Sequence, residues 1–186
     1  MRSMARGALA VICVCLTFSN IALAQEAKTD SPCSDPEFSQ FDFWVGEWRV
    51  VDTAGAFQGT NRIEKILNGC ALQENWTGAQ GMQGHSYNIF AKRRGVWHQT
   101  WVDSNGALLL LDGGLKDGRM VLSGRTPARE GEGTVEHEIS WEALSDGRVR
   151  QVWRMSRDGG TTWNEAFVGL YTRQEQRIPG GPCASH

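Results

Sequence analysis

The sequence predicts an all-β fold, an antiparallel up-and-down barrel of about ten strands. Three observations carry that expectation. Six of the eight tryptophans recur at every second residue inside short strand-like segments. Asp-Gly, Asn-Gly or Gly-Gly signals separate those segments from Trp44 to Arg173. No amphipathic helix of useful length competes for the chain. Gly and Asn reach the positive φ that two-residue hairpins demand, so Asn105-Gly106, Asp117-Gly118, Asp146-Gly147 and Asp158-Gly159-Gly160 join neighbouring antiparallel strands. A meander leaves two open edges, and rolling the sheet closed removes both. Two packed sheets are the alternative architecture.

Residues 1–24 stand apart from the fold. Arg2 and Arg6 precede an apolar run from Ala8 to Phe18, and Ala22-Leu23-Ala24 has the small-x-small pattern of a signal-peptidase site. The run is too short to span a bilayer and stop there. Export with cleavage before Gln25 is expected, which places the mature protein in the periplasm or outside the cell with no membrane span. Losing the two arginines moves the formal net charge from −2 to −4. The remaining basic residues are scattered, and Lys92-Arg93-Arg94 and Arg148-Val149-Arg150 read as a turn and a wet strand face, so nucleic acid is not an expected partner.

Residues 25–40 form a polar leader with two prolines, expected to end in a turn of helix around Pro36 to Gln40. The barrel domain is expected over 41–174. Its strands are Phe43 to Val51, Gly59 to Leu67, Ala71 to Thr77, His85 to Lys92, Val96 to Asp103, Ala107 to Asp112, Arg119 to Gly124, Thr134 to Ala143, Arg148 to Ser156, and Trp163 to Arg173. Residues 175–186 read as a flexible tail. Cys33, Cys70 and Cys183 outlast cleavage, enough for one disulfide in an oxidising compartment. Cys33 with Cys183 would tie the two tails together, and Cys33 with Cys70 is the other pairing. No Cys-x-x-Cys or multi-histidine spacing suggests a metal.

Alternation assigns faces. Val135, His137, Ile139 and Trp141 oppose Glu136, Glu138, Ser140 and Glu142; Val149, Gln151, Trp153 and Met155 oppose Arg148, Arg150, Val152 and Arg154. The same logic turns Leu72, Glu74 and Trp76 inward, and Trp97, Gln99 and Trp101 with them. In the last strand Trp163, Glu165, Phe167, Gly169 and Tyr171 share one face. The interior so derived is aromatic, with Glu74, Gln99, His137, Gln151 and Tyr87 as its polar members. An unpartnered buried amide or carboxylate costs a few kcal/mol, so these groups require each other, water or a guest.

Phe41-Asp42-Phe43-Trp44-Val45-Gly46-Glu47-Trp48 opens the sheet. Its Gly46-x-Trp48 element resembles the one that opens lipocalin and related calycin barrels. That resemblance implies that Trp48 plugs the closed end and that Arg173, at the end of the last strand, lies across it. The same opening motif, with Trp97-His98-Gln99-Thr100-Trp101-Val102-Asp103 and Phe167-x-Gly169-x-Tyr171, is similar to a bacterial family of exported domains of unknown function. Ser156-x-Asp158-x-Gly160-x-Thr162-Trp163 matches the Asp-box of sialidase propellers. It occurs once here, which points to a structural hairpin staple rather than a glycosidase.

Taken together, the chain reads as an exported binding protein for a small lipophilic or flat aromatic molecule. Trp76, Trp97, Trp101, Trp141 and Trp153 would form the walls, and Glu74, Gln99, His137 and Gln151 would orient the guest. Gly46, Trp48, Asp158, Trp163 and Arg173 are structural. No cofactor is required, with haem on His137 as the alternative. No nucleophile elbow, phosphate loop or dinucleotide fingerprint is present, so an enzyme using Glu74 or His137 as base, with Glu165 as a second inward carboxylate, ranks behind binding. A solid-cored interaction module using Arg148, Arg150 and Arg154 is the third reading.

Overall fold

The computed structural model describes residues 32–129 and 133–174; the leader before residue 32, the tail, Cys183 and His186 fall outside them. The described chain is a closed antiparallel barrel of ten strands: β1 (Gly46–Val51), β2 (Phe57–Ile66), β3 (Ala71–Gly78), β4 (Gln83–Ala91), β5 (Val96–Asp103), β6 (Leu108–Lys116), β7 (Arg119–Pro127), β8 (Thr134–Ala143), β9 (Val149–Ser156) and β10 (Asn164–Arg173). Each strand pairs with its sequence neighbours, and β1 pairs with β10 to close the sheet. Every expected strand is present, and β5 and β8 begin and end where the alternation places them.

Turn chemistry explains the hairpins. Gly106, Gly118 and Gly147 all take positive φ at the second residue of their Asx-Gly pairs. The Asp158 turn is a staple: its carboxylate accepts from the Thr162 amide at 2.8 Å and from the Thr162 hydroxyl at 2.6 Å, while Trp163 Nε1 donates to the Gly160 carbonyl at 3.0 Å. The Thr162 bonds, with one from the Ser156 hydroxyl, hold the Asp158 carboxyl down at about 2.

One end of the barrel is closed by aromatic packing. Short 3-10 turns at Pro36–Ser39 and Asp42–Trp44 lie over it. Phe41 stacks on Trp44 at 4.9 Å and meets Trp97 and Trp141 edge-on at 5.7 and 5.2 Å. Trp48 is fully enclosed, and its indole donates to the Trp44 carbonyl at 2.8 Å. The Arg173 guanidinium lies over the Trp48 ring at 4.4 Å and donates to the Val45 carbonyl at 3.1 Å. Gly46 has φ +144°, and a Cβ there would run into that guanidinium, so only glycine fits. Gly46, Trp48 and Arg173 thus form one structural unit.

One open pairing is settled and two expectations are corrected. Cys33 bonds Cys70, across 37 residues of sequence, which removes the pairing of Cys33 with Cys183. Cys70 follows the turn at Leu67–Gly69 on the closed rim, so the bond fastens the leader where the 3-10 turns cross the barrel end. In β10 the register against β9 shifts between Glu165 and Phe167, and this bulge at Ala166 reverses the side-chain parity. Phe167 and Tyr171 face inward, whereas Glu165 lies in an outer groove with Arg150 and Arg154, and Trp163 receives Arg154 over its ring from outside. Tyr87 also faces outward and is half exposed, because β4 turns Ser86 and Asn88 to the interior instead.

Candidate functional site

Above the aromatic plug the barrel holds a cavity of about 210 Å³. Its floor is Tyr171, packed edge-on against Trp48 at 6.1 Å. Its walls are Trp76 from β3, Trp101 from β5, Trp141 from β8, and Trp153 from β9, filled in by Met82, Leu109, Ile139 and Phe167. Glycines seat two of these indoles. A Cβ at Gly59 would press on the Trp76 ring within 3 Å, and one at Gly84 would overlap the Trp101 ring. Each ring therefore packs directly against the neighbouring strand at its glycine, an approach that a side chain there would obstruct.

The polar side is built around Glu74. Asn61 Nδ2 donates to Glu74 Oε1 at 2.7 Å, and the Ser86 hydroxyl donates to Oε2 at 2.6 Å. Ser86 Oγ itself accepts from Asn88 Nδ2 at 2.9 Å, and Asn88 Oδ1 accepts from Gln99 Nε2 at 2.8 Å. All four partners are buried. Burial raises the Glu74 carboxyl to about 7, against the lowering effect of its Ser86 and Asn61 bonds. Burial likewise pushes the Tyr171 phenol well above its usual value, with the Glu74 charge adding to it. Tyr171 donates its hydroxyl to Gln151 Oε1 on the neighbouring strand β9.

Of the residues expected to bind a guest, Glu74, Trp76, Gln99, Trp101, Trp141, Gln151 and Trp153 come together around this cavity. Trp97 does not. It faces inward as alternation requires but lies at the plug, where Nε1 donates to Gln40 Oε1 at 3.2 Å. Alternation gives the face of a residue and not its depth along the barrel. His137 is inward and buried yet absent from the cavity wall. Trp153 Nε1 donates to His137 Nδ1 at 3.2 Å, which leaves the proton on Nε2, and that nitrogen meets Thr126 Oγ1 at 2.8 Å. Burial holds the ring below its usual pKa, and with both nitrogens engaged it is a pillar for Trp153 rather than a ligand.

Asn61, Ser86 and Asn88 are the site residues that sequence reasoning missed. For Ser86 and Asn88 the signal was available as a pattern inversion on β4, where small polar residues alternate with Tyr87 and Ile89; Asn61 on β2 carries no such pattern. Hydrophobicity points the wrong way there, because the strand turns inward the groups that serve Glu74. The displacement of Glu165 leaves Glu74 as the carboxylate in the cavity wall, without a second one to share acid and base roles. Two of the outer-face arginines are tied to acids: Arg148 bonds Asp146 at 2.6 Å, and Arg154 bonds Glu138. Among the described residues there is no group of three His, Cys, Asp or Glu placed to hold a metal, and no helix long and apolar enough to cross a membrane.

Compared with known proteins, the chain matches no protein-family model and no curated protein.

Proposed function

We propose that this is an exported binding protein that holds a small, flat or lipophilic molecule inside a lipocalin-like barrel. The observation that carries this reading is the cavity itself: four indoles line it, and a buried polar chain ending at Glu74 reaches its wall between them. A solid core would have no use for either. At about 210 Å³ the space exceeds the roughly 150 Å³ that accommodates benzene and falls below the roughly 300 Å³ at which drug-sized sites begin. A guest of one or two rings fits; a porphyrin does not, and His137 offers it no free nitrogen. The Arg173 and Trp48 stack, together with the up-and-down closure, supports kinship with calycin-type barrels. The Cys33 to Cys70 bond supports export to an oxidising compartment.

Native mass spectrometry of protein purified from its own cell envelope, with tryptophan-quenching titrations of the stripped protein, tests this. Co-purification of a small molecule and saturable quenching that is lost in a Trp101→Ala variant are expected. Protein that emerges empty and shows no saturable quenching with any one- or two-ring compound would defeat the reading.

A further inference from the structure

Glu74 is buried without a counter-ion. No Lys or Arg lines the cavity, and no ion pair involving Glu74 occurs among the described residues. Its partners instead form a directed chain: Gln99 donates to Asn88, Asn88 to Ser86, and Ser86 to the carboxylate. Each donor polarises the next, and the sum favours negative charge at Glu74. An enclosed carboxylate with hydrogen bonds but no cation has most of what an ion pair requires, and lacks the pair.

The indoles of the lining supply the complement. Indole faces attract cations through their quadrupole, most strongly where water is excluded. Trp76, Trp101, Trp141 and Trp153 all line this one space with Glu74. Gln99 Oε1, which accepts no hydrogen bond among the described residues, adds a neutral acceptor on the same side. An anionic guest would meet Glu74 at close range with no positive group to offset it.

Resting on the binding reading above, we propose that the cavity selects a protonated amine of one or two rings. The ammonium group sits against Glu74, and the body of the molecule lies among the four indoles. Cavity size sets the ring count, the lone carboxylate sets the charge, and the indoles favour both the rings and the cation.

The test is calorimetry on the intact, disulfide-bonded chain with matched probes: 2-phenylethylamine, 2-phenylethanol and phenylacetate, and the naphthyl amine, alcohol and carboxylate. At pH 8 each amine is expected to bind about tenfold or more tighter than its alcohol, since both can donate to Glu74 but only the ammonium brings an opposite charge to the enclosed carboxylate. The carboxylates should bind weakest. Glu74→Gln should erase the amine preference, bringing amine and alcohol affinities within about threefold of each other.

Lowering the pH to 5 protonates Glu74 and should weaken amine binding in the wild type only. The other ionisable groups near the chain and cavity do not interfere. Tyr171 titrates far above this range, and His137 lies outside the wall. The faces contributed by β2, β4, β5, β8 and β9 present Asn61, Ser86, Gln99, Ile139 and Gln151, none of which titrates. Should Glu74→Gln fail to fold, the wild-type pH arm and Gln99→Leu carry the test, the latter expected to weaken amines more than alcohols. Alcohols matching amines in the wild type, or an amine preference that survives Glu74→Gln, would overturn the cation assignment and leave the binding reading standing. Absence of binding by all three probe classes would overturn both.

Discussion

The Ser86 hydroxyl donates to the Glu74 carboxylate at 2.6 Å, so a charge that burial disfavours is held in place by its neighbours. The consequence for stability has a definite sign. Folding raises the Glu74 carboxyl from its ordinary 4.5 to about 7, so the folded state binds the proton more tightly than the unfolded chain. That contribution is fully present below pH 4.5 and is lost as pH rises through 7. Guest-free protein is therefore expected to lose up to about 3 kcal/mol from this group between those limits. Glu74→Gln should flatten the profile, as read from urea midpoints measured across pH.

Arg173 acts on Trp48 from outside the plug. Arg173→Ala is expected to cost about 1 kcal/mol, because an exposed cation–π contact and one backbone hydrogen bond are lost. Arg173→Lys should recover little of that, since an ammonium lacks the planar fork. Trp48→Ala should cost about 3–5 kcal/mol, as expected for a fully buried aromatic. Chemical denaturation of the three variants checks the order.

Gly84 has ordinary backbone angles, so alanine there strains nothing except the Trp101 ring lying against it. Gly84→Ala is expected to push that indole into the cavity. Guest affinity should fall by about tenfold while overall stability drops by about 1–3 kcal/mol, the usual range for overpacking. A calorimetric titration alongside a melting curve separates the two effects.

Reducing the Cys33 to Cys70 bond releases a 37-residue loop. The loop-entropy relation puts its contribution at up to about 4 kcal/mol. Cys33→Ser should lower the denaturation midpoint and leave the cavity residues in place, because the bond anchors the closed rim and not the mouth. Guest binding in the folded variant should match wild type.

Much of this architecture was legible because hairpin chemistry and alternation are local. Thr134–Ala143 shows why: its partners on β7 and β9 run in unbroken register, so Val135, His137, Ile139 and Trp141 all face inward as the alternation requires. Where register breaks, the same rule inverts its answer, and the Ala166 bulge is what moved Glu165 and Trp163 outside. Depth along the barrel is set by strand stagger, which residue identity does not encode; hence Trp97 and Trp101, on one face of one strand, belong to the plug and the cavity respectively. Asn61, Ser86 and Asn88 were hidden for a different reason. Their inward position makes sense only once Glu74 is known to need donors.

The seam between β1 and β10 joins the two ends of the barrel segment through four registered residue pairs, while β7 and β8 share nine. All other ladders connect strands a short turn apart and can zip early, so ring closure is the late, entropically expensive event in folding. Until it happens, nine hairpin-linked ladders present two naked edges to any neighbouring chain. Amide exchange should be fastest along this seam among the paired strands, and the newly made polypeptide is most vulnerable to self-association in the interval before its first and last strands meet.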